Sequence, residues 1–166
     1  MAGLGNGTTK SDLLLRLARP AEATAIADLS RELVEYGLRW RWTRMRVLQS
    51  IRAANVNVLI ACDGETMAGF AIMRYADDDA HLDLLGVAPA YRRQGVGRSL
   101  LQWLEECAKV AGIFKIDLEM RSANKGAQIF YESLGYKSEM LLPGYYDGVE
   151  AALRMSRDLA PHRASA

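Results

Sequence analysis

At 166 residues the chain is long enough for one well-packed domain and too short for two of ordinary size. Half of its residues are hydrophobic, a quarter are charged and the formal net charge is +1, so no global field recruits nucleic acid or an anionic membrane. Cys62 and Cys107 stand alone, without a CxxC or a histidine spacing that would make a metal site. No stretch reads as a signal peptide, and no apolar run nears the ~18 residues of a membrane span. A reducing cytoplasm is the expected location.

In chain order, residues 1–11 are Gly- and Thr-rich and read as a disordered tail. Asp12 to Ala18 makes a first strand, stopped at Pro20. From Ala21 to Leu38, Ala25, Ile26, Leu29, Leu33, Val34 and Tyr36 predict an amphipathic helix, with Pro20 near its start and Gly37 at its end. Arg39-Trp40-Arg41-Trp42 follows, then a second helix from Thr43 to Ala54 with Met45, Val47, Leu48 and Ile51 apolar. Asn57 to Ala61 and Thr66 to Tyr75 are strands around Asp63-Gly64, a hairpin signal. Ala76 to Asp79 is a polar turn whose three aspartates are solvated. Ala80 to Val87 is a strand, a long helix runs to Ala111 with Gly112 as its stop, and Phe114 to Arg121 is the next strand. Asn124 to Leu134 is a helix closed by Gly135. Tyr136 to Leu142 and Val149 to Ser156 are a last pair of strands joined by residues 143–148, and the tail 160–166 reads as loose. The order β-α-α-β-β-β-α-β-α-β-β predicts a single α/β domain over residues 12–159, with a mixed sheet and one βαβ crossover.

That crossover carries Arg92-Arg93-Gln94-Gly95-Val96-Gly97-Arg98. Ala88-Pro89-Ala90-Tyr91 breaks the strand before it, and Val96, Leu100, Leu101, Leu104, Ala108 and Ala111 give helical spacing after it. Glycines at a strand-to-helix turn let backbone approach a ligand with no Cβ in the way. The first helix amides lack intrahelical partners and sit at the positive dipole end, and three arginines add charge there, so the stretch is a candidate phosphate or pyrophosphate site. A tight turn beside solvated arginines would carry the same residues. It is not a Walker loop, because no Lys-Ser/Thr follows the second glycine, and the dinucleotide fingerprint needs a third glycine and a distant acid.

A second constellation follows. Between Phe114 and Arg121, Ile116, Leu118 and Met120 point one way while Lys115, Asp117, Glu119 and Arg121 point the other. A strand inside a helix-covered sheet is apolar on both faces, so the polar row implies a wet cleft, unless Glu119 and Arg121 only pair with each other. Asn124 opens the next helix, with Tyr131 two turns on along the same face and Tyr136 just past the Gly135 stop. His81 and Asp83 form another polar pair within an apolar strand.

These residues resemble the GNAT superfamily of acetyl-CoA-dependent N-acetyltransferases. Arg92-x-x-Gly95-x-Gly97 is similar to its Gln/Arg-x-x-Gly-x-Gly/Ala pyrophosphate motif. The match spans Ala80 to about Leu159, and residues 12–75 fit in element order only. The run from Leu118 through Asn124 and Tyr131 to Tyr136 looks like the corresponding part of the bacterial ribosomal-protein alanine acetyltransferases. The resemblance implies a mostly antiparallel central sheet with helices on both faces, acetyl-CoA as co-substrate and no metal. By the same resemblance, backbone groups of Leu85, Gly86 and Val87 align the thioester and pantetheine arm, and amides from Arg93 through Arg98 (Gln94, Gly95, Val96 and Gly97 between them) hold the pyrophosphate. Asn124 falls where the family contacts the pantetheine arm. Tyr131 matches the general acid that protonates the leaving thiolate, and Glu119 the general base of the alanine acetyltransferases. His81 and Asp83 fall instead where serotonin N-acetyltransferase carries two histidines, so His81 is a rival base.

The chemistry suits such roles. An attacking amine must be neutral, yet an α-amino group has pKa ~8 and a lysine amine ~10.4, so a carboxylate or imidazole removes the proton. A tyrosine with pKa ~10 keeps its proton near neutrality and can hand it to a thiolate. The expected reaction is direct acetyl transfer in a ternary complex, on a peptide or protein N-terminal amine. The alternatives are a small free amine, in a pocket walled by Trp40, Trp42, Tyr145 and Tyr146, and a non-catalytic acyl-CoA-binding module. Neither nucleic acid nor membrane is an expected partner, and a homodimer is left open.

Overall fold

Strand alternation sorts the apolar side chains onto two faces, and a layer of helices covers each. The structure, a computed structural model, describes residues 13–161, so the expected tails lie outside it apart from Ala160 and Pro161. β1 (Leu14–Leu17), β2 (Val56–Asp63), β3 (Thr66–Tyr75), β4 (Ala80–Val87), β5 (Lys115–Arg121), β6 (Lys137–Tyr146) and β7 (Glu150–Asp158) form one sheet in the order β1-β2-β3-β4-β5-β7-β6. All neighbours are antiparallel except β4 and β5, which the crossover through α3 (Val96–Val110) makes parallel. In β2, Leu59 and Ala61 turn toward α3, where they join Leu100, Leu101 and Leu104, and Tyr131 of α4 (Lys125–Ser133). Val58 and Ile60 turn to the other face, against Ala23, Ile26 and Ala27 of α1 (Ala23–Leu33) and Val47 and Leu48 of α2 (Arg44–Arg52). Burial on both faces is why β2 and β3 read as continuous apolar runs. The three α3 leucines are fully buried, and each contributes about 1.5–3 kcal/mol of transfer free energy.

One irregularity shapes the functional end. Ile72 pairs with Leu84 and Met73 with Leu82, so Asp83 is an extra residue in β4. A bulge turns the strand over: Leu82 packs with the α3 layer, Leu84 with the α1 layer, and Leu85 and Val87 again with the α3 layer. Pairing of β4 with β5 ends at the same place, after Ala80↔Ile116, His81↔Asp117 and Leu82↔Leu118. Beyond it the two strands part, and a wedge opens between residues 83–87 and 119–121.

Two expected elements are corrected. The first helix stops at Leu33 rather than Leu38, after a 3-10 turn at Pro20–Glu22. Glu35 turns inward there to 7% exposure, and a buried carboxylate needs donors. The amides of Arg41 (2.7 Å) and Trp42 (3.1 Å) and the Ser30 hydroxyl (3.1 Å) supply them, which folds residues 34–43 into a fixed loop. The last hairpin is longer than expected, because β6 runs on through Pro143 and Gly144 to Tyr146. Proline is tolerated because β6 is an edge strand and its register with β7 shifts between Leu142 and Tyr146.

Candidate active site

The polar row of β5 meets the polar pair of β4 across the last step of strand pairing. His81 stands opposite Asp117 in register, and its ring bridges two carboxylates: Nδ1 lies 2.6 Å from Asp83 Oδ1 and Nε2 2.5 Å from Glu119 Oε2. Glu119 Oε1 accepts from Arg154 of β7, Nε at 3.0 Å and Nη2 at 2.9 Å, and Asp83 accepts from Arg74 of β3 at 3.0 Å. One chain of hydrogen bonds therefore crosses four strands. The two base candidates are partners within it, and Glu119 and Arg121 do not pair with each other. Arg121 instead donates to Val34 O (3.1 Å) and Tyr36 O (2.5 Å), holding the loop after α1 against the row.

The bonding sets the protonation states. The hydrogen bond that His81 donates to Asp83, then that to Glu119, pushes its imidazole up to about 9. The same His81 contact, reinforced by Arg154, holds the Glu119 carboxyl below the usual range against the opposing effect of burial. Near neutrality His81 is an imidazolium with both N–H groups given to carboxylates, and it has no lone pair left for an amine. Glu119, with 8% of its side chain exposed, has both oxygens engaged, Oε2 by His81 and Oε1 by Arg154.

At the far end of β4 the chain forms a cradle of amides. Gly95 caps α3 with φ +80° and Arg93 has φ +60°, and alternating handedness of this kind turns successive N–H groups to one side as an anion-binding nest. Arg92 N donates to Pro89 O and Ser99 N to Gly95 O. Between them, the amides of Arg93 through Arg98 find no partner outside the helix among the described residues. Gly97 keeps the floor low: a Cβ there would lie 3.2 Å from Phe130 Cζ of α4. Ala88 N donates to Ala68 O of β3, so alternation sends the groups of Gly86 to β3 as well and turns those of Leu85 and Val87 into the wedge. Arg92 Nε reaches Val87 O there at 3.3 Å. Gly86 serves packing instead, since a Cβ would lie 2.8 Å from the Phe70 ring.

Asn124 caps α4 through its Oδ1, which accepts from Ala127 N at 3.1 Å and leaves its amide group outward. Tyr131 is buried among Phe130 and Tyr136, edge-on to both, and burial pushes its phenol up. Its hydroxyl bonds nothing among the described residues. Tyr146, at the end of β6, stands edge-on to Tyr145, and burial pushes its phenol up as well.

The four-aromatic pocket of the alternative reading, for a small free amine, is corrected. Trp42 is buried in the α1–α2 core with Arg46 stacked 3.8 Å above its ring, and Trp40 packs against the same core beneath Arg31. A tryptophan's large apolar area is stabilised more by that core than by a wet cleft. Only Tyr145 and Tyr146 remain at the site, as an edge-on pair with Tyr145 47% exposed. Two members of the site went unpredicted. Arg154 had a visible signal, a cation between Leu153 and Met155 in a strand. Asp147 had none: from the turn after β6 it accepts from Arg39 N (2.7 Å) and Arg41 Nη2 (3.3 Å), tying that turn to the loop before α2.

Residues 54–138 match the Acetyltransferase (GNAT) domain. The chain belongs to the GNAT family. Over 93 residues this GNAT chain is 40% identical to the [ribosomal protein bS18]-alanine N-acetyltransferase of Escherichia coli K12, an alignment covering 54% of this chain and 63% of that relative's length. Over 81 residues it is 35% identical to the catalytic subunit of the N-terminal acetyltransferase B complex of Arabidopsis thaliana, covering 48% of this chain and 47% of that one. The crystal structure of the ribosomal-protein-S18-alanine N-acetyltransferase from Escherichia coli superposes with a TM-score of 0.77 at 25% identity, over 93% of this chain and 99% of that one. The GNAT fold is thus common to both, with its mostly antiparallel sheet between helical layers.

Proposed function

We propose that this protein is an acetyl-CoA-dependent N-acetyltransferase, that residues 12–159 form its single catalytic domain, and that its acceptor is the N-terminal amine of a peptide or protein. One observation carries the reading: the wedge between β4 and β5 begins where the His81–Glu119 pair ends and leads to the amide nest at residues 93–98. Acetyl-CoA, when bound, supplies the thioester. Backbone groups of Leu85 and Val87 align its arm, Asn124 contacts that arm, and the amides from Arg93 to Arg98 with the Arg92, Arg93 and Arg98 side chains hold the pyrophosphate. Glu119 takes a proton from the acceptor ammonium, directly or through water. The freed amine forms its bond to the acetyl carbon, the carbon–sulfur bond breaks, Tyr131 gives its proton to the departing thiolate, and the second proton that the nitrogen loses on becoming an amide restores the phenol, directly or through water. His81 and Arg154 hold Glu119 in place and keep it ionised.

The strength of the base favours an α-amine. Glu119 is held down, above all by His81, and is a weak base. An α-amino group with pKa ~8 is roughly a tenth neutral at pH 7 without help, whereas a lysine amine near 10.4 is neutral in fewer than about one molecule in a thousand. The two curated relatives, both named for N-terminal or alanine acetylation, support the same class.

The test is release of free thiol from acetyl-CoA with three acceptors: an Ala-initiated peptide, the same peptide with a blocked N-terminus and one internal lysine, and a panel of small amines. Mass spectrometry should locate the acetyl group on the α-amine of the first. Transfer to small amines alone would replace the acceptor assignment, and binding of acetyl-CoA without any transfer would leave a non-catalytic module.

A further inference from the structure

The charge of this protein is unevenly placed. Residues 36–62 hold five arginines and no carboxylate, so the other 139 residues carry 16 cationic side chains against 20 acidic ones. Four of the five, Arg39, Arg41, Arg44 and Arg46, are exposed and lie within eight residues, across the loop before α2 and its first turn. The platform beneath them is rigid. Buried Glu35 accepts from the amides of Arg41 and Trp42, the Thr43 hydroxyl caps α2 by accepting from Arg46 N (3.4 Å), and the Arg46 guanidinium lies over the Trp42 ring. Arg41 pairs with Asp147, while the Arg39 and Arg44 side chains find no carboxylate among the described residues.

The patch also adjoins the candidate site. Arg121, two residues after Glu119 in β5, donates to Val34 O and Tyr36 O, and Asp147, two residues after Tyr145, accepts from Arg39 N and Arg41 Nη2, so the acid row and this exposed ring both adjoin the arginine loop. A polypeptide whose first amine reaches Glu119 and whose chain leaves past Tyr145 runs onto Arg41, Arg39 and then Arg44. Extended chain advances ~3.3 Å per residue, so residues a few places after the first would meet them.

We propose that residues 39–46 form a docking surface for an acidic stretch of the acceptor polypeptide, a few residues downstream of its N-terminal amine. This rests on the acceptor class argued above. A short acidic segment fits better than nucleic acid: a duplex carries one charge per ~1.7 Å and would extend past the patch onto a surface with an excess of carboxylates. Because buried contacts fix the backbone beneath the arginines, the ordering cost of binding is confined to their side chains.

The experiment measures fluorescence anisotropy of N-terminally acetylated peptides that share their first three residues and carry Glu, Gln or Lys at positions 4 to 8. The Glu peptide should bind roughly 5- to 10-fold tighter than the Gln peptide, the Lys peptide weakest, and the difference should collapse at about 0.5 M salt. Arg39→Glu with Arg44→Glu should abolish the preference and Arg39→Gln with Arg44→Gln should halve it on a logarithmic scale, both with acetyl-CoA affinity intact as proof of folding. Equal binding of the Glu and Lys peptides, or an undiminished preference in the charge-reversed protein, overturns the proposal. So does displacement of the Glu peptide by a single-stranded oligonucleotide at lower concentration than by unlabelled Glu peptide, which assigns the surface to nucleic acid. Since the probes are already blocked, a failure of acetyl transfer would refute the catalytic reading and leave this measurement standing.

Discussion

Replacing His81 by glutamine should make the stability of the protein depend on pH in a defined way. The imidazole is pushed up to about 9 in the folded protein by Asp83 and Glu119, from about 6.5 in the unfolded chain. A group whose pKa rises on folding stabilises fully below its unfolded value and loses that contribution as pH climbs through the folded one. Linkage with these two values gives about 3 kcal/mol at pH 6, and well under ~1 kcal/mol at pH 9. The His81 side chain is 31% exposed, and screening by water reduces the first figure to roughly 2 kcal/mol. Urea unfolding of the native protein and of His81→Gln at pH 6, 7.5, 9 and 10 provides the assay. With a slope of about 2 kcal/mol per molar, the midpoints should differ by roughly 1 M at pH 6 and converge by pH 10. Taking the difference between the two proteins cancels titrations elsewhere in the chain. A gap that stays constant from pH 6 to pH 10 would refute the charged bridge and leave the ring as packing.

Three further outcomes follow from the same geometry. Glu119→Gln should lower turnover at least ~10²-fold at every pH, while His81→Gln, which leaves Arg154 on the carboxylate, should retain a larger share; the reverse ranking would make His81 the base. Tyr131→Phe should cut turnover roughly 10²-fold with acetyl-CoA affinity and thermal midpoint almost unchanged, because the hydroxyl makes no hydrogen bond among the described residues; full turnover would reduce the phenol to packing. Gly97→Leu should abolish acetyl-CoA binding by calorimetry, since even a Cβ reaches 3.2 Å from the Phe130 ring and 3.5 Å from Val87 Cγ2, so a longer side chain is crowded beside the nest. Native affinity in that variant would move the pyrophosphate elsewhere.

The element order and the amide cradle were legible in the sequence, because both are written locally. A period of two or of 3.6, a glycine at a helix start and a proline at a strand end act within a few residues of themselves. So β3 and β4 run to their expected ends, Asn124 caps α4, and Gly95 stands at the start of α3. Local patterning failed where a partner distant in sequence decides. The first helix reads as continuing to Leu38, yet Glu35 ends it by collecting the amides of the following loop. Trp40 and Trp42 read as pocket walls, yet the α1–α2 core claims them. His81 and Glu119 read as rivals because 38 positions separate them, and only the parallel pairing of β4 with β5 brings ring and carboxylate to 2.5 Å. Which of them carries the proton was undecidable from intrinsic pKa values, since each sets the other's. The wedge itself comes from a single unpaired residue, Asp83, whose bulge exists only in the register with β3. Strand register and strand order are fixed by hydrogen bonds between segments far apart in the chain, and the identity of a residue does not name the residue it will face.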